Sequence, residues 1–189
     1  MQLLKELICN TEIDLAGKTI YREAVRGIII QDDKLLMVFS TKNGDYKFPG
    51  GGIQPNETKE SALRREVREE TGRTIAKIQS PFGKMIECDK ALEAEYDVFK
   101  MTSYYFICTI EAGCVKQKLD DYEKELGFRP IWTDIDTAIQ ANTKLIQSSR
   151  ANIPRWTPRE TFVLEVLKQK WNFLNYRVPR KYINENLGF

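Results

Sequence analysis

Gly51-Gly52-Ile53-Gln54-Pro55-Asn56-Glu57, followed by Thr58-Lys59-Glu60-Ser61-Ala62-Leu63-Arg64-Arg65-Glu66-Val67-Arg68-Glu69-Glu70-Thr71-Gly72, is the stretch on which both fold and chemistry turn. A glycine loop gives way at Thr58 to helical patterning. Thr58 can cap the helix, Glu60 falls in the first turn where the dipole favours an anion, and Gly72 ends it. On that helix Glu66, Glu69 and Glu70 stand at i, i+3 and i+4, so their carboxylates share one face. Like charges that close oppose the helix by roughly 0.3 kcal/mol per pair. Arg65 and Arg68 are expected to project elsewhere around the helix. A divalent cation removes the conflict, because Mg²⁺ takes oxygen ligands and borrows others from water and phosphates. A bare ExxEE is more often a solvated helix face. The glycine loop directly before it favours the metal site, since glycine lets backbone come close to a ligand and offer a carbonyl oxygen.

Outward from this stretch the chain reads as alternating strands and helices. Val25 to Ile30 and Leu35 to Phe39 are β-branched apolar runs joined by Asp32-Asp33, which is a hairpin signal. Asn43-Gly44 marks a turn, and Lys47-Phe48-Pro49 leads into the glycines. Ile75 to Met85 and Phe99 to Ile110 read as later strands, and Ile131-Trp132 as part of another. Asp134 can cap a short helix carrying Ile135, Ala138 and Ile139. Thr157-Pro158-Arg159-Glu160 reads as a capping box, with Phe162, Val163, Val166 and Leu167 as the apolar stripe behind it. Strands before, between and after helices, without strict βαβ alternation, predict an α/β chain of the α+β type: a mixed sheet between helices.

Length and charge narrow the function. The chain has 189 residues and a formal net charge of +2, which suits one domain and gives no bulk attraction to nucleic acid or membrane. No apolar run is long enough for a membrane span, and the N-terminus lacks the uninterrupted apolar stretch of a signal peptide. Cys9, Cys88, Cys108 and Cys114 are scattered, so a reducing, cytoplasmic setting is expected. The sequence contains no histidine. Acid–base chemistry therefore falls to carboxylates, Lys, Tyr or Cys.

At every fixed position from Gly51 through Gly72 the stretch resembles the Nudix box, G-x5-E-x7-R-E-U-x-E-E-x-G-U, with Val67 in the internal aliphatic slot. Phe48-Pro49-Gly50 is similar to the family lead-in. The last aliphatic position is Arg73 instead, leaving Ile75 to supply its packing. The resemblance implies the Nudix fold over residues 1–189 as one domain, with 1–20 an N-terminal extension and 150–189 a C-terminal helical one. It implies that Gly51, Glu66, Glu69 and Glu70 bind Mg²⁺ or Mn²⁺, and that Glu57 and Arg65 form a structural salt bridge. Ala62, Leu63 and Val67 would pack the helix on the sheet. It implies hydrolysis of a pyrophosphate linkage in a nucleotide-derived small molecule, such as a nucleotide sugar, an ADP-ribose-like compound or a nucleoside triphosphate. No membrane or nucleic-acid partner is implied, and a homodimer is admitted.

Glu66 and Glu69 are the box residues expected to be catalytic, with Glu66 serving as ligand and base. The family often adds a carboxylate from a loop before a late strand. Here that loop is Asp120-Asp121-Tyr122-Glu123-Lys124-Glu125, with Glu125 the first choice and Glu123 the second. Arg22 and Arg26 share one face of the first strand and would suit substrate phosphates. A non-catalytic ligand-binding regulator is the alternative, opposed by the intact carboxylate set; an isomerase lacks an identifiable acid–base pair. Markers of particular substrates are missing: no proline stands at Cys88-Asp89 as ADP-ribose enzymes would have, and the NADH-type SQPWPFPxS run is absent. Tyr96, Phe99, Tyr104 and Tyr105 could stack on a base or fill the core.

Overall fold

The computed structural model describes residues 1–9, 12–148 and 153–171. In chain order its elements are β1 (Leu3–Ile8), β2 (Thr19–Gln31), β3 (Lys34–Ser40), β4 (Tyr46–Lys47), α1 (Lys59–Thr71), β5 (Ile75–Lys90), β6 (Val98–Ile110), α2 (Asp121–Leu126), β7 (Phe128–Thr133), α3 (Ile135–Ile146) and α4 (Trp156–Gln169). The hairpin expected at Asp32-Asp33 forms between β2 and β3, with Ile30 opposite Leu35 and both aspartates at positive φ. That is the turn geometry whose twist matches paired strands. The strands form one mixed sheet in the order β1-β5-β6-β2-β3-β4, with β7 paired to β3. β2 runs parallel to β6, and β5 antiparallel to it.

Alternation along the strands builds two cores, one on each face of the sheet. Ile28, Ile30, Leu35, Met37, Tyr105 and Ile107 meet Ile135 and Ala138 of α3 and Val163, Leu164 and Leu167 of α4. Val25, Ile29, Leu36 and Cys108 meet Ala62, Leu63 and Val67 of α1. Burying each such aliphatic side chain contributes about 1.5–3 kcal/mol. The sheet is thus covered by helices on both faces, as the strand–helix pattern indicated. Ile75 is buried in the α1-side core, while Arg73 bonds the Gly113 carbonyl instead of packing.

Four sequence expectations change. Residues within the expected N-terminal extension form β1, an edge strand paired parallel to β5. The acidic segment before β7 is the helix α2 rather than a loop. Asp134 stands at the α3 N-cap, but its carboxylate goes to Lys34 at 3.3 Å. The capping box at Thr157 does not form, because α4 begins at Trp156 and both capping side chains are used elsewhere. Thr157 Oγ1 donates to Asp45 at 2.9 Å, and Glu160 is drawn into the core. Of the expected C-terminal extension, residues 150–152 and 172–189 lie outside the described residues. Among the described residues no helix is long and apolar enough to cross a membrane, and the four cysteines are free thiols.

Candidate active site

The helix α1 presents the three carboxylates as the spacing demands, and its local sequence fixes where it starts and stops. Thr58 Oγ1 accepts from the Ser61 amide at 3.1 Å while Ser61 Oγ accepts from the Thr58 amide at 3.0 Å, a reciprocal cap. Gly72 ends the helix in the left-handed region. Buried Ala62, Leu63 and Val67 anchor one side on the sheet, and Glu66 and Glu70 reach the glycine loop at Gly51 and Gly50.

That loop is zipped along β2. The Val25 amide donates to the Gly51 carbonyl at 3.0 Å, the Gly27 amide to Pro49 at 2.8 Å and the Ile53 amide to Glu23 at 3.0 Å. Gly50 is required by the fit, and Gly51 is held in close approach to a carboxylate. Gly50 has a φ of +142°, where a side chain would strike the β2 backbone at Val25 and Arg26. At Gly51 a Cβ would stand 2.5 Å from the Glu66 carboxyl carbon. The glycine run is therefore where backbone and carboxylate come closest.

The carboxylates differ in setting. Glu70 is 0 % exposed; it accepts from Lys47 Nζ at 2.5 Å and from the Gly50 amide at 2.7 Å. Burial pushes its carboxyl up to about 7, against the pull of Lys47 and the Gly50 N–H, and the Glu123 charge adds to the rise. Burial also raises Glu66, which Arg65 opposes by donating to Oε1 at 2.7 Å. Glu69 is half-buried and takes Arg65 Nη1 at 3.2 Å. Arg65 does not project away, then, but folds back across the acidic face. Its guanidinium also holds Glu57 bidentately, at 2.9 and 2.8 Å, and the Gly52 carbonyl at 3.1 Å. That grip fastens loop to helix and keeps the Glu57 carboxyl below the usual range.

All these groups are hard oxygen donors of the kind Mg²⁺ takes. Among the described residues no three acidic, His or Cys side chains converge on one point. The carboxylates are instead turned to cationic neighbours, with the Lys47 ammonium between Glu70 and the Gly50 carbonyl, 3.4 Å away. Burial holds the Glu66 and Glu70 carboxyls above their ordinary range even with Lys47 and Arg65 present. The Gly51 carbonyl spends one lone pair on Val25 and keeps a second.

A cavity of about 290 Å³ opens beside the loop, lined by Gly50, Gly51 and Gly52, by Arg26 and Lys47, and by Tyr122, Phe128 and Trp156. Its far wall carries Cys9, Glu87, Asp89, Phe99, Met101, Arg155 and Arg159. Arg26 is buried; Nη1 donates to the Gly50 carbonyl while Nε makes no hydrogen bond and faces Glu160 Oε1 as an ion pair at 3.8 Å. Arg22, on the same strand, is exposed and does not line the cavity. The strand register puts both on one face, but only Arg26 lies far enough along β2 to reach the glycines.

Glu125 does not reach this site. Its side chain is 71 % exposed and ion-paired to Lys42 at 2.6 Å. Helix formation over the segment swings Glu125 outward and Glu123 inward. Glu123 is buried, accepting from the Asp120 amide at 2.9 Å and from Tyr122 Oη at 3.0 Å. Sequence reasoning missed Lys47, Glu87, Arg159 and Glu160. Arg159 bridges Glu87 at 2.5 Å and Glu160 at 2.6 Å, and Glu160 also takes the Tyr105 hydroxyl at 3.4 Å. The one signal for this network was charge at Arg159 and Glu160 in the first turn of a buried helix.

A family model of the NUDIX domain matches residues 20–157. The chain belongs to the Nudix family. Over 105 residues this Nudix chain is 34% identical to an ADP-ribose pyrophosphatase of Methanocaldococcus jannaschii, covering 54% of this chain and 59% of that protein. It is 30% identical over 113 residues to diphosphoinositol polyphosphate phosphohydrolase 3-alpha of Mus musculus, covering 58% of this chain and 60% of that one. The chain thus spans about three-fifths of the length of these curated relatives. Among solved structures, a NUDIX hydrolase from Nitrosomonas europaea is similar with a TM-score of 0.54 and 21% identity, over 88% of this chain and 98% of that one, a likeness of fold.

Proposed function

We propose that the chain is a divalent-cation-dependent hydrolase that cleaves the phosphate–phosphate bond of a nucleoside diphosphate linked to a second moiety. The observation that carries this is the meeting of Glu66 and Glu70 with the Gly50–Gly51 backbone, next to a cavity lined by Arg26 and Lys47, with Glu69 joined to Glu66 through Arg65. Those three carboxylates and the Gly51 carbonyl would hold Mg²⁺ or Mn²⁺. Bound there, the cation supplies charge neutralisation on phosphoryl oxygens and a water acidic enough to attack near neutral pH.

The chain's own residues do the rest. Arg26, whose guanidinium lines the cavity beside the Gly50 carbonyl, offers positive charge to a phosphate oxygen, and Lys47 adds a second positive charge at the same wall. Arg22 has no part in this reading. Glu66 receives the proton of the attacking water, since a chain without histidine leaves this role to a carboxylate. Glu123 acts by position, adding negative potential near Glu70. The Glu57–Arg65 pair keeps the loop in register with the helix. Residues 1–189 act as one Nudix unit, with β1 and α4 built into its sheet and core. Its place is the cytoplasm, where its thiols stay reduced.

The relative named ADP-ribose pyrophosphatase supports a nucleoside diphosphate derivative as the substrate class. The test is a panel of ADP-ribose, NADH, nucleotide sugars, dinucleoside polyphosphates and nucleoside triphosphates with Mg²⁺, scored by the mass of the products. One class should yield a nucleoside monophosphate and a phosphorylated second half. Absence of cleavage across the panel, or cleavage that leaves every pyrophosphate bond intact, would overturn the reading.

A further inference from the structure

A second cavity, of about 800 Å³, shares no lining residue with the first and backs onto the acidic face of α1 through Arg65 and Glu69. It lies between α1, the start of β5 and the segment 115–118, and five of its nine lining residues are Arg or Lys against the single acid Glu69. The segment is pinned to the end of α1: the Val115 amide donates to Gly72 at 2.9 Å and the Lys118 amide to Glu69 at 2.8 Å, while the Gln117 side chain donates to the Glu70 carbonyl. That pinning delivers Lys116 and Lys118 beside Arg68.

The cations fall into two groups. Arg64 is committed to Glu60 and the Ile75 carbonyl, and Arg65 to Glu57, Glu66 and Glu69. Among the described residues Arg68 and Lys116 enter no ion pair, and Lys118, 86 % exposed on its side chain, reaches Glu69 only at 3.9 Å. Stabilising the C-terminal end of a helix does not require this many charges, because the helix's last carbonyls are already capped by the segment's own N–H groups. Like charges gathered in one concave space repel until an anion joins them.

We propose that this cavity is a second binding site, for a condensed phosphate chain. Several charges per molecule with oxygens on all sides suit three exposed cations around a hollow, where a single carboxylate would need only one arginine. The chain could be free inorganic polyphosphate or the phosphate tail of a nucleotide, and the two are separable.

The experiment is calorimetric titration of the full chain with inorganic tripolyphosphate in EDTA, so that binding is read whether or not the protein turns over any substrate. Wild type should bind one tripolyphosphate. The Arg68→Ala/Lys116→Ala variant, altered only at exposed positions, should bind at least tenfold more weakly with its thermal unfolding unchanged. Adenosine 5′-tetraphosphate binding more tightly than tripolyphosphate, and weakened in the same variant, assigns the site to a nucleotide tail; equal affinities assign it to the free anion. No binding by wild type, or an unchanged affinity in the variant, overturns the proposal. So does a short DNA duplex that binds more tightly than either phosphate and depends on the same two residues.

Discussion

Replacing Glu70 by Gln removes one negative charge at nearly constant shape, and the structure gives that charge a measurable cost. Burial moves the carboxyl from 4.5 up to about 7, against Lys47 and the Gly50 amide and with Glu123 adding to the rise. An acid whose folded pKa lies above its unfolded value contributes fully below 4.5 and loses that contribution as pH climbs through about 7. The loss is ~3 kcal/mol, at about 1.4 kcal/mol for each tenfold. Urea unfolding of the metal-free protein from about pH 4 to about pH 8 reads it. The difference between wild type and variant isolates Glu70, because the other carboxylates titrate in both. Over that span wild type should lose ~3 kcal/mol relative to Glu70→Gln. Mg²⁺ should return most of this above pH 7, and only to wild type. A difference that stays flat, or that moves toward wild type as pH rises, would refute the idea that an under-compensated carboxylate is buried beside the glycine loop. The same variant should lower kcat by roughly 100-fold or more, the ~2.7 kcal/mol expected of a lost metal ligand.

Five further substitutions probe the surroundings. Glu57→Gln breaks the bidentate grip of Arg65 and should lower stability by about 1–2 kcal/mol while reducing kcat less than tenfold; a large kcat loss at unchanged melting temperature would contradict a structural role. Glu125→Gln should be silent in both kinetics and stability, whereas Glu123→Ala should cost about 1 kcal/mol in urea unfolding through the lost α2 cap; the reverse order would restore Glu125 to the site. Arg26→Lys should raise KM more than it lowers kcat, and Arg22→Ala should change neither; steady-state kinetics showing the opposite ranking would remove Arg26 from the phosphate wall.

The site's scaffold was legible because its signals are local. The i, i+3, i+4 spacing of Glu66, Glu69 and Glu70 fixes one helix face, and Thr58 and Gly72 fix where that helix begins and ends. The two cores could be expected for the same reason, since alternation along Val25 to Ile30 and Leu35 to Phe39 assigns each residue a face. What was not legible depends on contacts between distant segments. Glu160 looked like a cap because its sequence neighbours suit one; the buried Arg159 and Tyr105 that claim it come from packing α4 on the sheet. Glu123 and Glu125 are two residues apart in one acidic run, and only the helical turn of α2 decides which faces inward. Leu3–Ile8 looked like an extension because an edge strand with one covered side carries a weak pattern.

Metal dependence of turnover decides whether the acidic face of α1 works through a bound cation. The purified chain, given a pyrophosphate-linked nucleotide it cleaves, should lose activity in excess EDTA and recover it when Mg²⁺ or Mn²⁺ is restored, with Glu69→Gln failing to recover under the same conditions. Full turnover in excess EDTA, or equal recovery by the variant, would contradict it.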